Sequence, residues 1–107
     1  MSEQNFLNIS EQYLQQLSDN IEDADQEAVL SVDFHDGILE IIDDDDRTFV
    51  INQHSATQKI WYSSPFSGAD YFAYENDNWL NKNGVELTGK LAAELEENFK
   101  IKINVQE

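Results

Sequence analysis

The fold is decided by a segment that reads Val29-Leu30-Ser31-Val32-Asp33-Phe34-His35-Asp36-Gly37-Ile38-Leu39-Glu40-Ile41-Ile42. In its first half, apolar residues at 30, 32 and 34 alternate with polar residues, which is the pattern of a strand with one buried face. A second apolar run begins at Ile38. The dipeptide Asp36-Gly37 between the two runs is the strongest short-range signal of a β-hairpin. The segment therefore predicts two antiparallel strands, and with them a sheet.

More strands are predicted after this hairpin. Aromatic and β-branched residues concentrate in four short runs, at Thr48-Phe49-Val50-Ile51, Gln58 to Ser63, Tyr71 to Tyr74 and Trp79-Leu80. Such runs, separated by polar or turn residues, are typical of strands. The sequence thus predicts a sheet of five or six antiparallel strands.

Amphipathic segments flank the predicted sheet on both sides. Before it, apolar residues recur at three- and four-residue steps, at Phe6, Tyr13, Leu17 and Ile21. After it, a similar spacing returns at Leu87, Leu91 and Leu95. Each stripe predicts a helix with one apolar face. The tail from Ile101 to Val105 alternates in polarity, and we expect it to pack as an extended segment.

These elements predict the fold class α+β in a single domain over residues 1–107. Because each helix has one apolar stripe, the two helices most economically cover the same face of one sheet. The prediction is a two-layer α/β sandwich, with an N-terminal and a C-terminal helix packed on one face of a five- to six-stranded antiparallel sheet. The other face is left to solvent.

Composition narrows the possible functions. The 107 residues include 22 acidic and 6 basic ones, for a net charge of −16, and no cysteine. Such a surface repels nucleic acid and anionic membranes, which leaves cations and basic protein surfaces as expected partners. Without cysteine, thiolate metal sites and cysteine nucleophiles are excluded. We find no signal or transit peptide and no apolar run of membrane-spanning length, so we expect a cytoplasmic protein.

A group of carboxylates surrounds the predicted end of the first helix. Its members are Asp19, Glu22, Asp23, Asp25, Glu27 and, in the first strand, Asp33. The first three stand at i, i+3 and i+4 near a helix C-terminus, where mutual repulsion and the helix dipole both oppose them. Clusters of oxygen ligands suit hard cations such as iron, calcium, magnesium and manganese. A shallow metal site and a merely solvated acidic face are both compatible with these residues.

A second acidic run, Asp43 to Asp46, falls in a predicted turn between strands. Aspartate is a common turn residue, so a solvated turn is favoured over a metal site. Neither acidic group fits an EF-hand, since registers that start at Asp23 and Asp43 place Ala28 and Thr48 where glycine is required. No calcium loop is predicted.

Trp61 is a candidate interface residue. Its predicted strand has two faces, one with Lys59, Trp61 and Ser63 and the other with Ile60 and Tyr62. The tryptophan therefore lies on the polar face of the strand and is expected to face away from the helices. An exposed tryptophan on an open sheet is typical of a binding hot spot. The alternative is that Trp61 packs only on a neighbouring strand.

The sequence gives little support to catalysis. His35 and His54 are isolated, with no metal-ligand spacing between them. The serines at Ser63-Ser64 and Ser67-Gly68 lack the flanking glycines of a nucleophile elbow, and no glycine-rich phosphate loop is present. No enzyme is predicted.

Several stretches of this chain carry a family resemblance. They are Val50-Ile51-Asn52-Gln53, Gln58 to Pro65, Ser67-Gly68, Asn78-Trp79 and Leu91-Ala92-Ala93-Glu94-Leu95. Together they closely resemble the frataxin family, in its bacterial CyaY type, and the likeness spans nearly the whole chain. It implies a fold of two helices on one face of an antiparallel sheet, in agreement with the architecture predicted above.

The resemblance also implies a function. Frataxins bind iron (Fe²⁺ or Fe³⁺) weakly through carboxylates and contact the cysteine desulfurase and the scaffold protein of iron-sulfur cluster assembly. By position, Asp19, Glu22, Asp23, Asp25 and Asp33 match the family's acidic ridge, and Asn52, Gln53 and Trp61 match its exposed sheet surface. We therefore expect a monomeric iron-binding modulator of cluster assembly, capable of iron-dependent oligomerisation. The alternative is a metal-independent acidic inhibitor, or nucleic-acid mimic, that blocks a basic protein.

Overall fold

The computed structural model describes residues 1–103 and gives the bounds of each element. The helices are α1 (Glu3–Ala24) and α2 (Leu87–Phe99). Between them lie the strands β1 (Ser31–His35), β2 (Ile38–Ile42), β3 (Thr48–His54), β4 (Lys59–Ser64), β5 (Gly68–Glu75) and β6 (Asn78–Leu80). The predicted order of helix, sheet and helix is confirmed.

The sheet is an antiparallel meander in which each strand pairs with the next along the chain. Asp36 and Gly37, with φ of 53° and 77°, form the two-residue turn between β1 and β2. Asn76 and Asp77 form the equivalent turn between β5 and β6, also with positive φ. Two positive φ angles match the right-handed twist of the flanking strands. The hairpin predicted from Asp36-Gly37 is thus confirmed.

Side chains from one face of the sheet and from both helices form the core. The strands contribute Leu39, Ile41, Phe49, Ile51, Ile60, Tyr62, Phe72 and Trp79, and the helices contribute Phe6, Leu14, Leu17, Ile21, Leu87, Leu91 and Leu95. Both helices therefore cover the same face, which confirms the two-layer prediction. None of the helices between residues 1 and 103 is long and apolar enough to cross a membrane.

The start of β5 and the C-terminal tail refine the predicted elements. β5 begins at Gly68, three residues before the predicted start, because its pairing with β4 continues to Gly68 opposite Ser64. Asp70 lies within the strand, and its carboxylate accepts hydrogen bonds from Asn81 and Lys90. These partners allow a charged residue inside a strand. In the tail, Ile101 and Ile103 are buried. The rest of the predicted extended segment, residues 104 and 105, lies outside the described residues.

Candidate functional site

The outer face of the sheet carries a row of directly paired residues across five strands. His35, Ile38, Asn52, Trp61 and Tyr71 lie opposite one another in register from β1 to β5. The fractional exposure of Ile38, Trp61 and Tyr71 is 36%, 38% and 51%. Paired side chains on one face are close enough to pack together. The row therefore forms a continuous, partly apolar strip on the side of the sheet away from the helices.

Trp61 is the central aromatic residue of this strip. Its indole stacks on the imidazole of His54, with ring centroids 4.0 Å apart and planes inclined by 12°. The ring of Tyr71 approaches edge-on, at 5.5 Å. The His54 ring is itself held by a 2.9 Å hydrogen bond between Nδ1 and the Thr57 hydroxyl. The prediction that Trp61 faces away from the helices is confirmed, and its neighbours hold it in one orientation while leaving it accessible.

The amide pair divides between the two faces of the sheet, because successive side chains of a strand point in opposite directions. Asn52 lies on the outer face, paired with Trp61. The Gln53 side chain instead points to α1, where Nε2 donates to the Leu7 carbonyl oxygen at 3.0 Å and to Ser10 Oγ at 2.7 Å. The expected position of Gln53 on the exposed sheet surface is therefore wrong. Gln53 fastens β3 to the first helix.

Glycine at position 37 favours this arrangement. A Cβ atom at position 37 would lie 2.3 Å from Gln53 Oε1, and the residue has a φ of 77°. The Gly37 carbonyl oxygen also accepts a hydrogen bond from the backbone N–H of Gln53. The β1–β2 turn is thus packed against the same glutamine that holds α1.

Three of the candidate metal ligands share the end of the first helix. Asp19, Glu22 and Asp23 are all exposed in the last turns of α1, and Asp19 accepts a hydrogen bond from Gln15. The last turn of α1 contains no basic residue. The conflict with the helix dipole and the repulsion between like charges, predicted from the sequence, therefore persist in the fold without a compensating cation on that turn. We call these three residues the helix triad.

The other members of the acidic group lie in different environments. Asp25 is buried, and its carboxylate accepts hydrogen bonds from the amides of Val29 and Leu30 at 3.0 and 2.8 Å, so it closes the loop that follows α1. Glu27 is exposed in that loop. Asp33 lies on the outer face of β1, 2.6 Å from His35 Nδ1. Asp25 and Asp33 therefore differ from the helix triad in their contacts: Asp25 is bonded to backbone amides, and Asp33 is paired with His35.

No enclosed metal cage is formed within the described residues. Within residues 1–103, no three histidine or acidic side chains converge closely enough to hold a metal ion. The helix triad can therefore present oxygen ligands to a hard cation only at an open surface, with water completing the coordination.

The run from Asp43 to Asp46 forms the turn between β2 and β3. Asp43 is buried and accepts hydrogen bonds from the amides of Asp45 and Arg47 and from Arg47 Nε at 2.7 Å. Burial alone would raise the pKa of the Asp43 carboxyl, but these hydrogen bonds and the Arg47 charge outweigh it and lower the pKa below its ordinary value. Residues 44–46 are exposed. The solvated turn is confirmed for these three, whereas Asp43 is the residue that holds the turn together.

Comparison with known proteins identifies the family of this chain. A model of the frataxin-like domain family matches residues 1–101. The chain belongs to the frataxin family. This family is known in general for iron binding and iron-sulfur assembly, and is not classically enzymatic.

Individual relatives agree with this assignment. The chain is 31% identical over 91 residues to the mitochondrial frataxin homolog of Saccharomyces cerevisiae, and 37% identical over 67 residues to the mitochondrial frataxin of Dictyostelium discoideum. These matches cover 81% and 60% of this chain but only 52% and 35% of the relatives. The chain thus spans about half of the first relative's length and a smaller part of the second.

Solved structures match the whole fold. Frataxin from Psychromonas ingrahamii superposes with a TM-score of 0.87 at 19% identity, over 100% of both chains. A trimeric frataxin from Saccharomyces cerevisiae, described as complexed with ferrous iron, matches with a TM-score of 0.74 at 30% identity over 83% of both chains. At 19% identity the first match shows similarity of fold alone, whereas the second combines the shared fold with 30% identity over most of the domain.

Proposed function

We propose that this protein binds iron weakly at the helix triad and modulates iron-sulfur cluster assembly in the bacterial cytoplasm, without catalysing a reaction itself. The observation that carries the proposal is the helix triad: three exposed carboxylates at a helix C-terminus with no base on that turn, in a member of the frataxin family. Iron is the cargo or signal in this proposal, not a resident cofactor. Glu27 lies in the loop after α1 and Asp33 on β1, and both are further ligands in the proposal, whereas Asp25 would have to give up two backbone hydrogen bonds.

The chemistry of the helix triad supports a hard cation. Carboxylate oxygens are the ligands that such ions prefer, and a cation would remove the repulsion that the empty triad suffers. The net charge of −16 raises the local concentration of cations around the whole surface. An open site without a cage is consistent with release of iron to a partner.

The partner surface in this proposal combines the acidic ridge with the outer strip around Trp61. A cysteine desulfurase or scaffold protein that presents a basic groove would be attracted by the charge and anchored by the tryptophan. Asn52, next to Trp61, supplies an amide for hydrogen bonding on the same surface. The protein is a monomer in this proposal, with iron-dependent oligomers as a further state, since the related yeast frataxin was crystallised as a trimer.

The helix triad is tested by replacing Asp19, Glu22 and Asp23 with Asn, Gln and Asn. Because repulsion and the dipole conflict disappear together, the metal-free variant should be more stable than the parent by about 1 kcal/mol in low salt. Ferrous or manganous ion should stabilise the parent and scarcely affect the variant, since a ligand of the folded state raises its stability. Urea unfolding under anaerobic conditions, with and without metal, measures both effects.

A matched control removes the same charge elsewhere. Asp44, Asp45 and Asp46 are exposed, and replacing all three with Asn also raises the net charge by three. This control should keep the full metal-dependent stabilisation. Equal metal stabilisation of the parent and the helix-triad variant would contradict the proposed site, and loss in the control instead would move it to the β2–β3 turn.

A second function fits the absence of a cage within residues 1–103 together with the high charge. The protein would then act as a metal-independent acidic inhibitor, or nucleic-acid mimic, of a basic protein. Affinity capture of partners from a bacterial lysate, with ferrous iron and with a chelator, separates the two functions. Iron-dependent capture of the desulfurase or scaffold supports the first, and iron-independent capture of another basic protein supports the second.

A further inference from the structure

A groove lies on the helix side of the molecule, where α1 meets the β5–β6 hairpin and the start of α2. Its volume is about 360 Å³. The lining comes from three separate parts of the chain, represented by Tyr13 of α1, Tyr74 of β5 and Thr88 of α2. The outer strip around Trp61 is on the opposite face of the sheet, so this groove is a separate surface.

Aromatic rings form the apolar part of the groove. Trp79 is buried at its base, with the ring of Tyr74 at 5.1 Å and that of Tyr13 at 6.0 Å between centroids. The Tyr13 hydroxyl is fixed by a 2.6 Å hydrogen bond with Thr88. These rings are therefore held in place before any ligand arrives. Because Trp79 is buried, the half-buried rings of Tyr13 and Tyr74 supply the aromatic faces on which an organic cation would bind.

The polar part of the groove is acidic. Asp77 and Glu86 line it, together with the side-chain amides of Gln12, Gln16 and Asn20. Asp77 also accepts a hydrogen bond from the Tyr74 hydroxyl. No lysine or arginine is among the described residues that line the groove. Burial, and to a smaller extent the nearby charge of Glu86, raise the pKa of Tyr13, which keeps its phenol neutral.

We propose that this groove binds the guanidinium group of an arginine carried on a basic segment of a partner protein. A guanidinium stacks on aromatic rings, donates two parallel hydrogen bonds to a carboxylate and is more weakly hydrated than an ammonium group. It therefore suits an aromatic groove with two carboxylates better than the ammonium group of lysine does. Free arginine is a poorer match, because its α-ammonium and α-carboxylate groups would also have to be accommodated beside Asp77 and Glu86, whereas an arginine within a partner segment presents the guanidinium alone. The inference does not depend on iron binding.

The test uses tryptophan fluorescence. Of the two tryptophans, only Trp79 lines the groove, so a Trp61→Phe background leaves Trp79 as the reporter. The probe is the capped tripeptide acetyl-Gly-Arg-Gly-amide, and the matched ligand replaces arginine with citrulline, which has nearly the same shape without the charge. We expect a saturable, salt-sensitive change with the arginine peptide, and binding at least about tenfold weaker with the citrulline peptide.

Charge variants locate the binding. Asp77→Asn with Glu86→Gln should weaken binding about tenfold or more, whereas Asp44→Asn with Asp45→Asn, which removes the same charge at the β2–β3 turn, should retain it. Glu86 makes no side-chain capping bond at the start of α2, and circular dichroism verifies that both double variants are folded.

Four outcomes would overturn the inference. These are a linear response without saturation, equal binding of the arginine and citrulline peptides, equal loss of binding in the two double variants, and tighter binding of free arginine than of the tripeptide. The first two exclude recognition of the cation, the third indicates only the general charge of the protein, and the fourth indicates a free amino acid instead of a protein partner.

Discussion

The two tryptophans show how the environment of a single residue determines its role. Trp79 is 2% exposed and packs edge-to-face on Phe6, whereas Trp61 is 38% exposed and is held between His54 and Tyr71. One belongs to the core and the other to a surface strip. Substitutions at the two positions should therefore affect different properties.

We predict that Trp61→Ala leaves the fold intact and weakens binding of the proposed partner, a cysteine desulfurase or scaffold protein, by about 2 kcal/mol, as expected for an interface anchor. Trp79→Ala is the contrasting variant and should lower the free energy of unfolding by about 3–5 kcal/mol. Urea unfolding and calorimetric titration of each variant measure the two quantities. A sharp loss of stability in Trp61→Ala with unchanged affinity would show that Trp61 is a packing residue only.

A second prediction at this scale concerns Asp43 and pH. The pKa of Asp43 in the folded protein lies below its unfolded value of about 3.9, because the hydrogen bonds and charge of Arg47 outweigh burial. Its stabilising contribution is therefore complete above that unfolded value and is lost as the pH falls through the folded pKa. Asp43→Asn should lower the unfolding midpoint at about pH 7, and the difference from the parent should shrink towards about pH 3.

The control for this experiment is Asp46→Asn, which removes an exposed carboxylate from the same turn. It should change stability little at either pH. A difference between parent and Asp43→Asn that grows as the pH falls would contradict the assigned role of Arg47.

At the scale of elements, one carboxylate joins α2 to the sheet. Glu94 accepts hydrogen bonds from the hydroxyls of Tyr62, Ser64 and Ser67. Ser64 Oγ in turn accepts hydrogen bonds from the amides of Phe66 and Ser67, which shape the β4–β5 turn. The position of α2 and the conformation of that turn therefore depend on the same side chain. The carboxylate also raises the pKa of Tyr62, after the larger effect of burial.

Glu94→Ala should lower the free energy of unfolding by about 1–3 kcal/mol, because it leaves part-buried hydroxyls without an acceptor. Tyr62→Phe removes one of these hydroxyls and serves as the matched change. In the double variant the two losses should not add, since they report on one hydrogen-bond network. Additive losses in urea unfolding would show that Glu94 and Tyr62 act independently.

At the scale of the whole molecule, the large negative charge is the feature with the broadest effect on stability. The net charge is −16, and within residues 1–103 four ion pairs join a lysine or arginine to a carboxylate. Most carboxylates of the described residues therefore have no basic partner within ion-pair distance. Self-repulsion of this kind destabilises a compact state.

We predict that sodium chloride raises the free energy of unfolding between about 10 mM and 0.3 M, with most of the gain reached once the Debye length falls to about 8 Å. The variant with asparagine at positions 44–46 should gain less, because less repulsion is left to screen. Urea unfolding across the salt series provides the measurement. A stability that decreases with salt would mean that ion pairs such as Lys90–Asp70 outweigh the repulsion.

Local pattern alone determined the elements of this protein. The alternation around Asp36-Gly37 and the three- and four-residue apolar steps are short-range signals, so they predicted the hairpin, both helices and the outward direction of Trp61. The alternation along β3 also indicates the direction of Gln53, because residues 49, 51 and 53 lie on the same face of the strand and Phe49 and Ile51 are buried. Family resemblance placed Gln53 on the outer face, whereas the period of the strand places it against α1.

Tertiary structure decided which distant residues meet. The register between β4 and β5 brings Tyr71 opposite Trp61, helix packing brings Glu94 to Tyr62, and the groove joins Tyr13 to Tyr74 and Trp79. In the fold, the carboxylates of Asp25 and Asp43 also accept hydrogen bonds from backbone N–H groups, although in the sequence these residues look like their exposed acidic neighbours. Periodicity states which way a side chain points within its own element, but the partner it meets depends on register and packing between elements far apart in the chain.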